Sequence, residues 1–216
     1  MNISATEIRN KLNKPLPGIQ SHLKLAPEHR AAQLAAATDL SRAKKSAVMI
    51  LLFHRNEKLW IIYIRRSFYV GIHAGQIAFP GGRYEDADLN IRTTALREVE
   101  EEIGISPDKI EILGQMTDIY VPPSNFLISI FVGYLSAQPE YKPDSREVAE
   151  IIEVDIDDLL AEEVIQEKNF NVPSEGASVK ALYYNAPNAE IWGASAMVTA
   201  EFLDVLRGEN IDKKNS

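Results

Sequence analysis

Hydrophobic positions in this 216-residue chain recur with two spacings, which together predict a mixed α/β domain. Apolar runs over 46–53 and 58–64 flank a polar turn at 54–57, so we expect a β-hairpin there. Further strands are predicted over 110–120, 126–135, 148–154 and 179–184. Helical spacing predicts helices over 90–103, 155–164 and 195–206, the first ending at Gly104, which suits a helix C-terminus. Between these elements, residues 65–78 indicate a loop with a short strand, and Phe79-Pro80-Gly81-Gly82 indicates a sharp break.

The ends of the chain differ from this central pattern. Residues 1–45 predict a helical extension packed on the domain, broken at Pro15 and Pro17 and resumed by the alanine-rich run 27–37. Residues 46–207 form the predicted domain, and the polar residues 208–216 predict a flexible tail. We therefore expect one domain with an N-terminal extension.

Composition narrows the classes of function. Asp and Glu outnumber Lys and Arg by 31 to 23, and a net charge of −8 disfavours binding to nucleic acid. The chain has no cysteine, which excludes disulfides, thiolate metal sites and thiol catalysis. The N-terminal residues lack the apolar run of a signal peptide, and the longest apolar stretch, 47–53, is too short to span a membrane. These features predict a cytoplasmic protein that does not bind membranes.

The predicted helix over 90–103 carries four glutamates within five positions, 98–102. Glu98 and Glu102 lie one turn apart on one face, Glu101 lies beside them, and an apolar stripe adjoins them. Like charges at this spacing cost about 0.2–0.5 kcal/mol on an exposed helix, and more where water is excluded. A hard divalent cation, Mg²⁺ or Mn²⁺, would offset this repulsion. The alternative is a solvated acidic surface, which is what most charge runs are.

The segments flanking this helix carry a family resemblance. Residues 97–105, with 81–88 upstream, resemble the Nudix box, G-x5-E-x7-R-E-U-x-E-E-x-G-U, where U is a bulky apolar residue. The second half matches at every fixed position, whereas the first half has one extra residue and Asp88 in place of Glu. This longer box is similar to that of the coenzyme A pyrophosphohydrolase branch. Arg66, Ser67, Gly75 and the run 79–82 also match that branch's signature, but Gly71 stands where its second Arg is usual.

The resemblance, over residues 45–207, implies a Nudix fold in which a mixed β-sheet is sandwiched between helices (α/β/α). It implies metal-dependent hydrolysis of a pyrophosphate bond in a nucleoside diphosphate derivative. The expected substrate is coenzyme A or acyl-CoA, giving 3′,5′-ADP and (acyl-)4′-phosphopantetheine. The resemblance implies that Mg²⁺ or Mn²⁺ is held by Glu98, Glu101, Glu102 and the Gly81-Gly82 turn. The same three glutamates and Arg97 are the implied catalytic set, in which Arg97 fixes the carboxylates by ion pairing.

Further residues are candidates for substrate binding. Arg65 and Arg66 are predicted to bind phosphate, since guanidinium donors match phosphate oxygens in pairs. For the others a structural role remains open beside the functional one. His73 would contact substrate or orient Gln76, Phe79 would stack on adenine or belong to the core, and Asn125 lies on a Pro-containing loop that would line the pocket. Glu147 is a further candidate, as a base or extra ligand, and Trp192 is expected to be a packing anchor rather than a substrate contact.

Two alternative functions remain open. Because of Gly71, the substrate could be ADP-ribose or another nucleoside diphosphate derivative. A Nudix-fold module that binds a metabolite without turnover is the other alternative, although such a module could dispense with the helix glutamates. The expected partner is a small-molecule nucleotide, and the sequence leaves a homodimer open.

Overall fold

One apolar strand organises the larger of the two sheets in the computed structural model, which describes residues 1–27, 40–67, 75–172 and 177–209. In strand β1 (Lys44–Arg55), residues 49–53 have no solvent exposure. On one side β1 pairs antiparallel with β2 (Lys58–Arg66), and on the other it pairs parallel with β7 (Phe126–Leu135). The predicted hairpin is confirmed, with Asn56 and Glu57 in the left-handed region at its turn.

The remaining strands extend the larger sheet from this centre. They are β3 (Ile77–Ala78), β4 (Gly81–Arg83), β5 (Ile110–Gln115), β6 (Ile119–Val121) and β8 (Val148–Asp155). The main path of the sheet is β3-β2-β1-β7-β5, while β4 pairs with β1, β6 with β7 and β8 with β2. Only the pairing of β1 with β7 is parallel among those described, so the sheet is mixed.

Alternate residues of β1 face two separate hydrophobic cores, as a side-chain period of two requires. Met49 and Leu51 pack in one core with helix α3 (Ile91–Ile103). Ile50 and Leu52 pack in the other with α1 (Ala5–Leu12) and α5 (Gly193–Arg207). Helical layers therefore cover both faces, which confirms the predicted mixed sheet between helices. None of the helices in the described ranges has the length and apolar character needed to cross a bilayer.

The N-terminal segment is tied to the last helix through buried polar contacts. A second short helix, α2 (Ile19–Leu23), packs on α5. His22 Nε2 lies 2.9 Å from Glu201 Oε2, and the Gly18 N–H donates to Glu201 Oε1 over 3.1 Å. Because both side chains are buried, these contacts attach the extension firmly. The helix predicted over 27–37 and the tail beyond 209 lie outside the described residues, apart from Pro27.

Three predictions about elements were wrong. The strand predicted over 110–120 is divided into β5 and β6, with a register shift against β7 between Ile112 and Gly114. The helix predicted over 155–164 is only α4 (Ile156–Leu159), since residues 161–163 are polar or small and exposed. The sharp break predicted at 79–82 contains the start of β4, which pairs with Ser46, Ala47 and Val48 of β1.

A second sheet was largely missed by the sequence analysis. It has three antiparallel strands, β11-β10-β9, with bounds β9 (Ile165–Val172), β10 (Ala177–Ala186) and β11 (Ala189–Trp192). Only the middle of β10 was predicted. One face of this sheet packs on the core through Tyr184 and Ile191, and its other face contributes to the cavity described next.

Candidate active site

Helix α3 is fixed at both ends, so the positions of its glutamates are well determined. At its start, the Asn90 side-chain oxygen accepts hydrogen bonds from the backbone N–H groups of Arg92 and Thr93. At its end, Gly104 adopts a left-handed conformation with φ 73°. The buried residues Ala95, Val99 and Ile103 hold one side of the helix against the sheet. The adjoining side, which carries Glu98 and Glu102, faces strand β4.

Glu102 is a buried carboxylate with one oxygen left unsatisfied. The residue is 1% exposed, and the Gly81 N–H donates to its Oε2 over 2.8 Å. Its Oε1 has no hydrogen-bond partner among the described residues, and the Nη1 of Arg66 lies 3.5 Å from it. Burial raises the pKa of Glu102 to about 8, although the Gly81 hydrogen bond and Arg66 oppose that rise. Such a group calls for a closer positive partner than Arg66 supplies.

The two glycines of β4 leave the space that these carboxylates occupy. A Cβ on Gly82 would lie 2.3 Å from Glu98 Oε1, closer than any real contact allows. Gly81 has φ +153°, and a Cβ there would lie 2.3 Å from the Ala47 carbonyl oxygen. Any other residue at either position would therefore displace β1 or the Glu98 side chain.

In the longer Nudix-like box, Asp88 takes the place of the usual Glu and pairs with Arg97. Arg97 donates to Asp88 from Nε over 3.0 Å and from Nη2 over 3.2 Å. The Thr94 hydroxyl and the Glu85 N–H also donate to Asp88 Oδ2. These contacts, led by the Arg97 hydrogen bond, lower the pKa of Asp88 to about 2. The extra residue thus lets the shorter Asp pair with Arg97.

Arg97 also joins the other carboxylates of the helix. Its Nη1 lies 2.9 Å from Glu98 Oε1 and 2.8 Å from Glu101 Oε2, and its Nη2 donates to the Arg83 carbonyl oxygen over 3.0 Å. Burial raises the pKa of Glu98 despite the neighbouring Arg97. Glu101 is more than half exposed. Arg97 is thus ion-paired with Asp88, Glu98 and Glu101 at once, as the predicted ion pairing with the carboxylates requires.

The donors at this site fit a hard divalent cation. Within the described ranges, no three acidic or imidazole side chains already form a metal-binding cluster, and Arg97 lies against Glu98 and Glu101. The site nevertheless brings together several oxygen atoms whose negative charge is not fully neutralised. They belong to the unsatisfied Glu102 carboxylate, the crowded Glu98 carboxylate and the adjacent glycine turn. These are the ligand atoms that Mg²⁺ and Mn²⁺ prefer. Glu98, Glu101, Glu102 and a carbonyl of the Gly81-Gly82 turn could hold such an ion.

A cavity of about 560 Å³ opens from these carboxylates, a volume suited to a substantial small molecule. Its charged end is lined by Arg66, Arg83, Glu85, Arg97, Glu98, Glu101, Glu102 and Glu147. The cavity is also lined by apolar residues, namely Val48, Ile119, Val121, Phe126, Ile128, Val179, Trp192 and Val198. One continuous space is therefore bordered by both ionic and apolar side chains.

Some predicted substrate residues reach this cavity. Arg66 and Gln76 line it. Phe79 also borders it but is 3% exposed and packs on Tyr63 at a centroid distance of 4.7 Å, so its main contact is with the core. Glu147 lines the charged end, where its charge contributes to the raised pKa of Glu102.

Other predicted residues do not reach the cavity. Arg65 is directed elsewhere, because its Nε donates to Glu150 over 2.9 Å and its Nη2 to the Asn188 carbonyl oxygen. Asn125 holds its own loop, since its amide nitrogen donates to the Arg42 carbonyl oxygen and its amide oxygen accepts from Tyr120. Its neighbours Ser124 and Phe126 line the cavity instead. His73 and Gly71 lie outside the described residues.

The lining contributed by the end of the chain was not predicted from the sequence. Val179 of β10 and residues 193–195 at the start of α5 border the cavity, and so does Trp192, for which the role of a packing anchor was predicted. Val179 carries no motif of its own. Only the alternation of β10 and β11, with buried Tyr184 and Ile191 on one face, could have indicated that Val179 and Trp192 face the other way.

Comparisons with known proteins agree with this architecture. The sequence profile of the NUDIX domain matches residues 43–172. An uncharacterized Nudix hydrolase NudL of Pectobacterium atrosepticum is 37% identical over 123 residues, which cover 55% of this chain and 60% of that protein. The peroxisomal coenzyme A diphosphatase NUDT7 of Mus musculus is 28% identical over 149 residues, covering 69% of this chain and 63% of that protein. The matched regions thus span about three fifths of both relatives. The crystal structure of RenU, a Nudix hydrolase from M. Smegmatis, superposes with a TM-score of 0.52 and 12% identity, covering 81% of this chain and 91% of that one, which is a likeness of fold alone.

Proposed function

The chain belongs to the NUDIX domain family, and from that membership we propose that it is a metal-dependent hydrolase of a pyrophosphate bond in a nucleoside diphosphate derivative. The observation that carries the proposal is the buried Glu102 carboxylate. Its Oε1 has no hydrogen-bond partner in the part of the chain that the structure describes, while Glu98 and the Gly81-Gly82 turn lie beside it. Burying such a carboxylate without a partner costs free energy and does not stabilise the fold. Its presence is explained if the site binds a cation and then an anionic diphosphate.

Each charged residue has a distinct part in this proposal. Glu98, Glu101 and Glu102, with the glycine turn, hold Mg²⁺ or Mn²⁺. When bound, such an ion neutralises the diphosphate and lowers the pKa of an attacking water. Arg97 is a positioning residue, because it contacts Asp88, Glu98 and Glu101 at once. Arg66 lies at the same end of the cavity and binds a phosphate oxygen of the substrate.

For the substrate we propose coenzyme A or an acyl-CoA, cleaved to 3′,5′-ADP and (acyl-)4′-phosphopantetheine. Support comes from the run Arg66 to Gly82, which resembles the coenzyme A branch, and from the likeness to the mouse coenzyme A diphosphatase. A cavity lined by both charged and apolar side chains suits a molecule with a diphosphate and a long neutral arm. The second candidate is ADP-ribose or a related compound, and it is favoured by Gly71 in place of a signature Arg.

Product analysis after incubation with Mg²⁺ tests the proposal. Coenzyme A, acetyl-CoA and ADP-ribose are compared by kcat/KM, with products separated by chromatography. Release of 3′,5′-ADP from coenzyme A at the highest kcat/KM is the expected result. A higher value for ADP-ribose would establish the second candidate. Hydrolysis of none of them would refute the coenzyme A assignment.

A matched pair of variants tests the site itself. Glu102→Gln is expected to lower kcat by about a hundredfold or more, because it removes a charged metal ligand. Glu100→Gln changes the same residue type on the exposed side of the same helix and is expected to retain activity. Equal activity in the two variants would remove Glu102 from the site. Tight binding of a nucleotide without any hydrolysis would instead favour the non-catalytic binding module.

A further inference from the structure

The three-stranded sheet carries a stack of aromatic rings on the face turned away from the core. The Phe170 and Trp192 rings lie 4.4 Å apart between centroids at an interplanar angle of 11°. Tyr183 meets Phe170 edge-on at 5.5 Å and 83°, and it pairs across the strands with Trp192. The Lys168 ammonium lies 4.8 Å from the Phe170 centroid and 5.0 Å from that of Tyr183. Contacts of this kind fix the orientation of each ring.

Trp192 is the member of this stack that borders the substrate cavity. The residue is half-buried and lines the cavity together with Val179 and Gly193. A Cβ placed on the neighbouring Gly193 would meet no atom of the described residues within 4 Å, its own chain neighbours aside, so open space adjoins the first residue of α5. Phe170 therefore stacks on one face of the Trp192 indole, and Trp192 also exposes surface to the cavity. A residue that served only as an internal packing anchor would not expose such surface.

We propose that Trp192, supported by Phe170, is the stacking surface for the purine ring of the substrate nucleotide. The inference rests on the proposed function, because it places the base in the cavity whose charged end takes the diphosphate. A flat, rigid aromatic surface suits a planar ring, since stacking uses the full area of both partners. A flexible pantetheine or acyl arm gains nothing from that planarity, and it is assigned instead to the aliphatic wall formed by Ile119, Val121 and Ile128.

Intrinsic fluorescence tests this assignment without any turnover. The chain has two tryptophans, and Trp60 does not border the cavity, so Trp60→Phe leaves Trp192 as the sole indole reporter. Adenosine 3′,5′-bisphosphate and 4′-phosphopantetheine, neither of which has a pyrophosphate bond, are titrated in turn with Mg²⁺ present. Saturable quenching by the adenosine compound and none by phosphopantetheine is expected. Absence of binding of the adenosine compound in calorimetry, or binding that leaves Trp192 fluorescence unchanged, would overturn the proposal.

Substitution at Trp192 gives a second, independent test. Trp192→Leu is expected to weaken binding of adenosine 3′,5′-bisphosphate by about 5- to 150-fold, whereas Trp192→Phe should retain most of the affinity. For hydrolysis, Trp192→Leu should raise KM more than it lowers kcat. Thermal melting checks that both variants fold, and the fluorescence titration on the Trp60→Phe protein decides the question if Trp192→Leu does not. Wild-type affinity in a folded Trp192→Leu variant would refute the stacking role.

The outcomes for the base and for the reaction are separable. If Trp192→Leu binds the adenosine compound normally while Glu102→Gln abolishes hydrolysis, the purine assignment fails and the hydrolase stands. If the adenosine compound quenches Trp192 but no pyrophosphate substrate is cleaved, the purine surface stands and the hydrolase fails.

Discussion

Replacing Glu102 with glutamine should make the metal-free protein more stable, although it should remove activity. Glu102 is 1% exposed, and burial raises its pKa from 4.5 to about 8. In the unfolded chain the same carboxyl titrates near its ordinary value. At neutral pH the folded state must therefore keep the group protonated or bury its charge, and both options cost free energy. Glutamine is neutral in both states, so it does not carry this cost.

The magnitude follows from the difference between the two pKa values. Between pH 4.5 and about 8 the folded state binds more protons than the unfolded state, so the free energy of unfolding falls as pH rises. Each pH unit across this window costs about 1.4 kcal/mol, which gives an upper bound of about 3 kcal/mol at pH 7. Relaxation around the site reduces that bound, and we expect a gain of about 1–3 kcal/mol for Glu102→Gln at pH 7. Near pH 4.5 the gain should vanish.

Unfolding with urea in EDTA, repeated from pH 5 to pH 9, measures this difference. Glu100→Gln is the matched control, because that glutamate is exposed on the same helix. Adding Mg²⁺ should then stabilise the wild-type protein more than Glu102→Gln, since a ligand stabilises the folded state that binds it. A Glu102→Gln variant that is less stable than the wild type in EDTA, or that shows the same pH dependence, would refute the account of Glu102 as an underneutralised buried carboxylate.

Three further predictions concern the surroundings of this carboxylate. Gly82→Ala should lower Mg²⁺ affinity measured by calorimetry at least about tenfold while the protein still folds, because the new Cβ would contact the mobile end of Glu98 rather than backbone; unchanged affinity would contradict the close approach. Asp88→Asn should lower the free energy of unfolding by about 2 kcal/mol at pH 7, because the pKa of Asp88 is lowered to about 2 in the folded state. The stabilising effect of Asp88 is present above about pH 4 and is lost as pH falls toward 2. Plots of unfolding free energy against pH for the two proteins should therefore converge near pH 2, and parallel plots would contradict this account. Arg66→Ala should raise KM for the diphosphate substrate about tenfold or more, whereas Arg65→Ala, at a residue paired with Glu150 outside the cavity, should change KM less than threefold; equal effects in steady-state kinetics would contradict the assignment.

The parts of the fold that the sequence predicted well are those with local causes. The β1–β2 hairpin has long apolar runs and a short polar turn, and α3 has its capping Asn90 and terminal Gly104 within the same segment. The carboxylate cluster was predictable for the same reason, because Glu98 and Glu102 are brought together by one helical turn. Their burial followed from the adjoining apolar stripe, and Glu102 is indeed among the buried charged residues.

Most of the second sheet was missed because its strands are short and do not show a clear apolar face in the sequence. Strand β9 alternates charged and polar residues with Phe170, and Ile165 is 46% exposed, so no apolar face is visible in the segment alone. The acidic run before it was interpreted as a helix, but after Leu159 it offers only Val164 as a buried residue. Strand β9 is instead held in the sheet by its antiparallel pairing with β10, which the sequence of β9 alone does not indicate.

The contrast between Arg65 and Arg66 shows why the rest of the site needed a structure. Both arginines end the same strand, and composition gives no reason to prefer either as a phosphate ligand. Successive side chains of a strand point to opposite faces, and Ile62 and Ile64 of this strand pack in the core that holds α3. Arg66 follows their face and reaches Glu102 and the cavity, while Arg65 faces the other way and forms a surface ion pair with Glu150. The alternation of β2 therefore separates the two arginines, but which face of β2 meets α3 is decided by the assembly of the whole sheet, and that assembly selects Arg66 as the proposed phosphate ligand.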